Sequence, residues 1–237
     1  MAKFLIDRRS ALVGAGSIAL ASAMPRAIRA ATAKTNEAIQ AIQPQMSYLK
    51  ILREVLPDDA IVTDELSQVG FASWYGFPIY QPRTFLTSGY QGTLGSGFPT
   101  ALGAKVARPD KPVVAITGDG GFMFGVQELA TAVQYKIGVV TLVFDNSAYG
   151  NVRRDQLQGF EGRVIASDLV NPDFVKLAES FGVAAARVTS PDRVPSPHDT
   201  RPRDLARPRD LRASAAVQRG RAGGRQGGDS AGHLLHH

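Results

Sequence analysis

The sequence contains no cysteine among its 237 residues. This absence excludes disulfides, zinc–thiolate sites and cysteine nucleophiles. All four histidines lie after Arg193, and from Arg193 to His237 the chain has no Lys, Glu, Ile, Met, Asn, Phe, Tyr or Trp. A segment with so few large apolar residues cannot bury enough surface to offset its ordering entropy, so we expect residues 193–237 to form a disordered tail.

The net positive charge is small in the rest of the chain. The net charge is +6, and nine arginines stand against four aspartates between Arg193 and His237. The remaining residues are therefore close to neutral, and nucleic acid is not an expected partner of the folded part. The arginine-rich composition of the tail fits a gene read in the wrong frame. Two similar hexads, which begin at Arg201 and Arg207, leave open a basic tail that binds RNA or anionic surfaces.

Residues 1–32 have the composition of a leader. Arg8-Arg9 precede an apolar, small-residue run from Ser10 to Met24, which is shorter than the ~20 residues that a membrane span needs. No stable span is expected. The pattern is typical of a twin-arginine export signal, with a cleavage site at Ala21-Ser22-Ala23, and it predicts a periplasmic location. The alternative is an aberrant alanine-rich leader on a cytoplasmic protein.

Residues 33–192 alternate short β-branched runs with helical periodicity, which predicts an α/β domain. Residues 137–144 (IGVVTLVF) are nearly all apolar, as in a strand that is buried on both faces of a parallel sheet. Asn171-Pro172-Asp173 predicts a helix start with Asn171 as the N-cap. A mostly parallel, doubly wound sheet follows from this alternation. The other predicted strands are 60–63 and 112–117, and the other predicted helices are 45–56, 97–106 and 124–135.

The sequence Gly118-Asp119-Gly120-Gly121 lies between a predicted strand and a predicted helix. Glycines at such a turn allow the backbone to approach a diphosphate closely. The carboxylate of Asp119 would repel the phosphates unless a hard cation lay between them, and Mg²⁺ binds oxygen ligands of both kinds. Asn146 follows the next predicted strand, so it is the candidate for a second ligand.

This order of motifs resembles the cofactor signature of thiamine diphosphate-dependent enzymes of the acetolactate synthase and benzoylformate decarboxylase type. The resemblance extends from about residue 34 to residue 192, and it implies thiamine diphosphate and Mg²⁺ as cofactors. It assigns Mg²⁺ to the side chains of Asp119 and Asn146 and to the carbonyl of Ala148. The family's usual Asn-Asn pair is Asp145-Asn146 here. It assigns cofactor contacts to Gly92, Leu94, Gly118, Gly120, Gly121, Asn146 and Tyr149.

The segment from Gly92 to Pro99 resembles the part of the family that holds the two rings of the cofactor. By this match the Gly92 carbonyl accepts from the aminopyrimidine amino group. Leu94 is the apolar wedge that bends the cofactor. Arg153, Arg154 and Gln156 either border the substrate or form a solvated helix face.

The resemblance also implies a three-layer α/β/α domain that acts on a 2-oxo acid, by decarboxylation or carboligation through the thiazolium ylide. In the family a separate pyrimidine-binding domain supplies the activating glutamate. We therefore expect no catalytic residue in this chain, and a partner chain that carries that domain within an oligomer. The family continues past residue 192 with a further helix and strand, so we expect a sheet that is truncated at its C-terminal edge. The alternative is a non-catalytic remnant or cofactor-binding module.

Overall fold

The computed structural model describes residues 26–191 and 214–219. The chain divides into two units, residues 1–41 with 229–237, and residues 42–228. In the first unit, helix α1 (Arg26–Gln40) crosses the predicted boundary at residue 32. The predicted signal motif Arg8-Arg9 lies outside the described residues. No helix in the described ranges is long and apolar enough to cross a membrane.

The second unit alternates strands and helices, as the sequence predicts. Its order is α2, β1, α3, β2, a 3-10 turn, α4, β3, α5, α6, β4, α7, α8, β5 and β6. The helices are α2 (Gln45–Val55), α3 (Gln68–Gly76), α4 (Gly97–Ala107), α5 (Asp119–Gly125), α6 (Glu128–Gln134), α7 (Gly150–Gly159) and α8 (Phe174–Ser180). The strands are β1 (Ile61–Asp64), β2 (Phe85–Leu86), β3 (Val113–Gly118), β4 (Val140–Asp145), β5 (Ala184–Arg187) and β6 (Ser214–Arg219), and the 3-10 turn is Gly89–Gln91.

The sheet has six strands in the order β2-β1-β3-β4-β6-β5. Every pair of neighbouring strands is parallel. The central strand β3 is buried along its whole length, as expected for a strand with helices on both faces. The order reverses between β1 and β3, because β2 lies on one side of β1 and β3 on the other. In open parallel sheets such a reversal opens a crevice at the carboxyl ends of the strands.

Helices cover both faces of the sheet, so the predicted three-layer α/β/α class is confirmed. On one face, α4, α5, α6 and α8 join the strands in one apolar cluster. On the other face, the Tyr48 ring of α2 contacts the edge of Phe144 in β4, with ring centroids 5.3 Å apart, and α2 also contacts α3. The cluster on the first face consists of Ile61, Phe98, Ala101, Leu102, Val113, Ala115, Phe122, Leu129, Ala132, Val139, Val143, Phe174, Ala178 and Val183.

Two local predictions are wrong. The predicted helix at 124–135 is two helices, and the first begins directly after β3 at Asp119. The N-cap of α8 is Asp173, whose carboxylate accepts from the backbone N–H groups of Val175 and Lys176. Asn171 lies too far before the helix to cap it, and its side chain binds two aspartates instead.

The C-terminal edge of the sheet also differs from the sequence expectation. We predicted a truncated sheet and a disordered tail over 193–237, yet Ser214–Arg219 forms β6 between β4 and β5. Apolar burial is not the only source of order for such a segment. Backbone pairing supplies another reason, because the facing edges of β4 and β5 offer N–H and C=O groups that an extended segment can satisfy on both sides. The rest of the predicted tail lies outside the described residues.

Candidate functional site

A cavity of about 290 Å³ lies at the carboxyl ends of β1, β3 and β4. Its position is where the strand order reverses, the usual ligand site of an open parallel sheet. The walls come from the start of α2, the segment after β1, Leu94, the β3–α5 turn and residues 144–152. Five segments that are distant in sequence thus converge here, and three of them directly follow or include the carboxyl ends of β1, β3 and β4, which parallel strands place along one edge.

The β3–α5 turn has no room for side chains at two of its glycines. A Cβ on Gly120 would lie 2.5 Å from the Tyr149 ring, and a Cβ on Gly121 would lie 1.6 Å from Oε1 of Glu65. Gly118 is more permissive, because its Cβ would lie 3.1 Å from the side chain of Ser67. Close packing against Tyr149 and Glu65 therefore requires glycine at positions 120 and 121. The result is a cavity wall made of backbone.

Two buried carboxyl groups lie side by side behind this turn. Asp119 is 2% exposed and Asp145 is 4% exposed. The side-chain N–H₂ of Asn171 donates to both, at 2.7 Å to Asp119 and 2.9 Å to Asp145. Burial raises the pKa of Asp119, the hydrogen bond from Asn171 lowers it, and the nearby charge of Asp145 raises it further. Neutral donors such as this amide do not cancel the charge of two buried carboxylates, so the pair is a favourable place for a cation.

The loop after β4 is fixed in shape by Asp145. Its Oδ1 accepts from the backbone N–H of Ser147 at 3.0 Å and from the Ser147 hydroxyl at 3.2 Å. These bonds support the left-handed backbone of Ser147, with φ of 56°. The Leu169 N–H donates to the Ser147 carbonyl and the Tyr149 N–H to the Ser167 carbonyl, each at 2.8 Å. Asn146 and Ala148 are held at the cavity wall in this way.

The structure brings almost all of the predicted site residues to this cavity. Gly92 is the exception: it has a φ of 56° and lies against the Leu66 side chain, and it does not line the wall. Leu94 lines the same cavity as the metal-ligand candidates. The predicted residues on the wall are Leu94, Gly118, Asp119, Gly120, Gly121, Asn146, Ala148 and Tyr149.

The arginines of α7 do not border this cavity. Arg153 pairs with Asp168 at 2.7 Å and Arg154 with Asp155 at 3.2 Å. Gln156 donates to the Ile165 carbonyl and accepts from the Ser167 hydroxyl. None of the three belongs to the wall. Of the two readings of these residues, the helix face is the one that the contacts support.

Sequence reasoning missed several polar residues of the site. Gln45 and Gln68 line the wall, Gln68 donates to Asn151 at 2.9 Å, and the buried Oε1 of Gln45 has no hydrogen-bond partner among the described residues. Glu65, which is 1% exposed, lies directly behind the β3–α5 turn. An acidic Asp64-Glu65 pair at the end of an apolar strand was a signal in the sequence for this site. Nothing local in the sequence identified Gln45.

The residues present fit a magnesium diphosphate. A carboxylate, an amide and a backbone carbonyl are available from Asp119, Asn146 and Ala148, and hard oxygen donors of this kind suit Mg²⁺. The glycine backbone at positions 118–121 leaves space beside them that a Cβ would fill.

Comparisons with known proteins point to the same cofactor. Residues 66–197, more than half of the chain, match the family described as "Thiamine pyrophosphate enzyme, C-terminal TPP binding domain". The chain is 45% identical over 160 residues to the probable acetolactate synthase large subunit of Methanocaldococcus jannaschii, covering 65% of this chain and 27% of that protein. It is 39% identical over 153 residues to the acetolactate synthase isozyme 2 large subunit of Escherichia coli K12, covering 64% of this chain and 28% of that protein.

A solved structure with the same fold is the thiamine diphosphate-dependent 4-hydroxybenzoylformate decarboxylase of Rhodococcus jostii RHA1. The TM-score is 0.64 at 28% identity, over 74% of this chain and 32% of that one. The chain thus spans between a quarter and a third of the length of these relatives.

Proposed function

The chain belongs to the thiamine pyrophosphate enzymes, of which it carries the C-terminal TPP-binding domain, and from this premise we propose that it anchors thiamine diphosphate through Mg²⁺ held by Asp119, Asn146 and the Ala148 carbonyl. The observation that carries the proposal is the buried Asp119–Asp145 pair at the cavity wall. A bound diphosphate would add negative charge beside these carboxyl groups, and a divalent cation offsets that charge.

Each residue of the site has its own role in binding the cofactor. Asp119 and Asn146 hold the cation, and Asp145 keeps the Asn146–Ala148 loop in the shape that presents its oxygens. Asn171 orients the Asp119 carboxylate, as outer-shell partners of metal ligands generally do. The glycine backbone of the β3–α5 turn faces the diphosphate, and Leu94 excludes water from the apolar part of the cavity. When bound, thiamine diphosphate supplies an electron sink for cleavage of the bond beside the carbonyl of a 2-oxo acid.

We further propose that the activity is of the acetolactate synthase or 2-oxo-acid decarboxylase type, and that it requires assembly with a pyrimidine-binding domain from another chain. Two observations support this. The relatives are acetolactate synthases and a decarboxylase, and the chain spans only 27% of one and 32% of another. A cofactor-binding module without catalysis is the second candidate, and the same partial coverage favours it.

Thermal unfolding of the full chain tests the binding proposal. A ligand that binds only the folded state stabilises it by RT ln(1 + [L]/Kd), which is about 2.7 kcal/mol at a hundredfold excess over Kd. Thiamine diphosphate with Mg²⁺ should therefore raise Tm by several degrees, and EDTA should abolish the rise. Asp119→Ala should remove the shift, because it removes a metal ligand.

Asp155→Ala is the matched control, since Asp155 is an exposed aspartate of α7 that pairs with Arg154 and does not line the cavity. Its shift should equal that of the unaltered chain. A shift that persists in EDTA, or that survives in Asp119→Ala, would rule out the assignment of Mg²⁺ to Asp119.

A further inference from the structure

Glu65 is a buried acid that directly follows β1, and it has no place in the metal site. Thr63 and Glu65 point to the same face of the strand, because side chains alternate along it. Both reach Gly97, the first residue of α4: the Thr63 hydroxyl donates to the Gly97 carbonyl at 2.9 Å, and the Gly97 N–H donates to Oε2 of Glu65 at 3.1 Å. The end of β1 thus forms hydrogen bonds with both the N–H and the carbonyl of Gly97.

The same carboxyl group also contacts the β3–α5 turn. A Cβ on Gly121 would lie 1.6 Å from Oε1 of Glu65, and a Cβ on Gly97 would lie 3.1 Å from Oε2. Glu65 therefore fills the space between the first turns of α4 and α5. These turns carry the two sides of the cavity, since Leu94 lies three residues before Gly97 and Asp119 lies two before Gly121.

The loop between Leu94 and Gly97 depends on its supports. Gly95 has a φ of 83°, and a Cβ there would lie 2.6 Å from Phe124 of α5. The Ser96 hydroxyl donates to the Thr93 carbonyl at 2.8 Å. The loop is thus packed directly on α5, and its far end is held by Gly97.

An acid in this position is costly for stability. Glu65 is 1% exposed, and its Oε1 has no hydrogen-bond partner within the described part of the chain. Burial raises the pKa of the Glu65 carboxyl to about 7, although the backbone N–H groups of Gly97, Gly118 and Gly95 oppose the rise. An apolar side chain of similar volume would fill the same space without a desolvation cost. However, an apolar side chain cannot supply a hydrogen-bond acceptor for the Gly97 N–H.

We propose that Glu65 is a positioning residue of the cofactor site: by accepting from Gly97 it fixes the Leu94 loop relative to the Gly118–Gly121 turn. The role depends on the proposed function, because the cavity is a cofactor site only if that function holds. The affinity for a ligand that contacts only the turn should not depend on the position of the loop. The affinity for a larger ligand that fills the cavity as far as Leu94 should depend on it.

Calorimetric titration of the full chain with two probes tests this role, each probe with excess Mg²⁺: inorganic pyrophosphate and thiamine diphosphate. Glu65→Gln keeps an acceptor for Gly97 and should bind both probes within about twofold of the unaltered chain. Glu65→Met keeps the volume but not the acceptor. It should weaken thiamine diphosphate about tenfold while pyrophosphate changes by less than twofold.

Thr63→Val is a second variant that decides the matter if Glu65→Met does not fold. It removes the other bond to Gly97 and leaves the carboxyl group in place, so it should show the same selective loss. Equal loss of both probes, or no loss of either, in the folded variants would overturn the positioning role. Failure of the unaltered chain to bind pyrophosphate with Mg²⁺ would instead overturn the proposed function, and the role of Glu65 with it.

Discussion

At the scale of single residues, Asp64 and Glu65 at the end of β1 and Asp119 at the end of β3 are three buried acids. Burial raises the pKa of Asp64, Glu65 and Asp119, in each case as the largest effect. Asp64 is relieved by the indole N–H of Trp74 and Asp119 by Asn171. Glu65 is relieved by backbone N–H groups alone, chiefly that of Gly97. The fold therefore keeps three acids in surroundings that disfavour their ionised form. Such raised pKa values are common at binding sites.

Glu65 should make the chain less stable as the pH rises. Its pKa is raised from 4.5 to about 7, so the folded state keeps a proton that the unfolded state loses between these values. The stabilising contribution is full below pH 4.5 and is lost as the pH rises through 7. Between pH 5 and pH 8 the free energy of unfolding should fall by on the order of 2 kcal/mol more in the unaltered chain than in Glu65→Gln.

Urea unfolding of the two proteins across this range, without Mg²⁺, measures the difference. The neighbouring carboxyl of Asp64 titrates in both proteins and therefore cancels in first order. Parallel pH profiles for the two proteins would show that Glu65 keeps an ordinary pKa.

The residues that the sequence identified are those whose role is local. Asp119 and Asn146 each follow an apolar strand, so the end of the strand sets their position. Glu65 and Asn171 escaped because their partners are remote: Glu65 binds Gly97, 32 residues away, and Asn171 binds Asp119, 52 residues away. Only the folded sheet brings these groups together, so the spacing of residues along the sequence does not predict these contacts.

At the scale of elements, the short helix α8 depends on its cap. It has seven residues, and it buries Phe174 and Ala178 in the core. A helix of this length is marginal on its own. The Asp173 carboxylate accepts from Val175 at 3.1 Å and from Lys176 at 3.4 Å, which satisfies two backbone N–H groups that have no partner within the helix.

Asp173→Ala should lower Tm by ~2–4 °C, because it removes this cap. Asp173→Asn keeps a side-chain acceptor and should recover most of the loss, which also separates the cap from the ion pair with Arg187. Differential scanning calorimetry of the two variants gives the comparison. An Asn171→Ala variant that lowers Tm while Asp173→Ala does not would return the capping role to Asn171.

Elements with one strong pattern were predictable, whereas their ends were not. The strand predicted at 112–117 is β3 (Val113–Gly118), and the strand predicted at 137–144 is β4 (Val140–Asp145). The start of α5 at Asp119 was missed because three glycines within the four residues 118–121 suggest a loop. Here Tyr149 and Glu65 leave no space for side chains on two of them, so packing overrides the low helix propensity of glycine.

At the scale of the whole molecule, the sheet has more strands at its C-terminal edge than the sequence predicted. β6 extends the sheet beyond β4 through backbone pairing, a contribution that apolar patterning cannot reveal. Along the described residues, the acids on the cavity wall are Asp119 and Asp145. Both are engaged with Asn171, and in the proposed function Asp119 holds the cation.

These engagements lead to the expectation that the full chain alone binds thiamine diphosphate with Mg²⁺ yet consumes no 2-oxo acid. No acid on the described wall is left to act on the pyrimidine ring, and the resemblance assigns that task to a glutamate of a pyrimidine-binding domain.

The measurement is release of CO₂ from pyruvate and from benzoylformate, at cofactor concentrations that give the full melting shift. Asp119→Ala serves as the control for contaminating enzyme, since it cannot hold the cofactor. Turnover by the unaltered chain that disappears in Asp119→Ala would show that this domain is catalytic by itself. Turnover that appears only after a chain with a pyrimidine-binding domain is added would favour the assembled enzyme over the binding module.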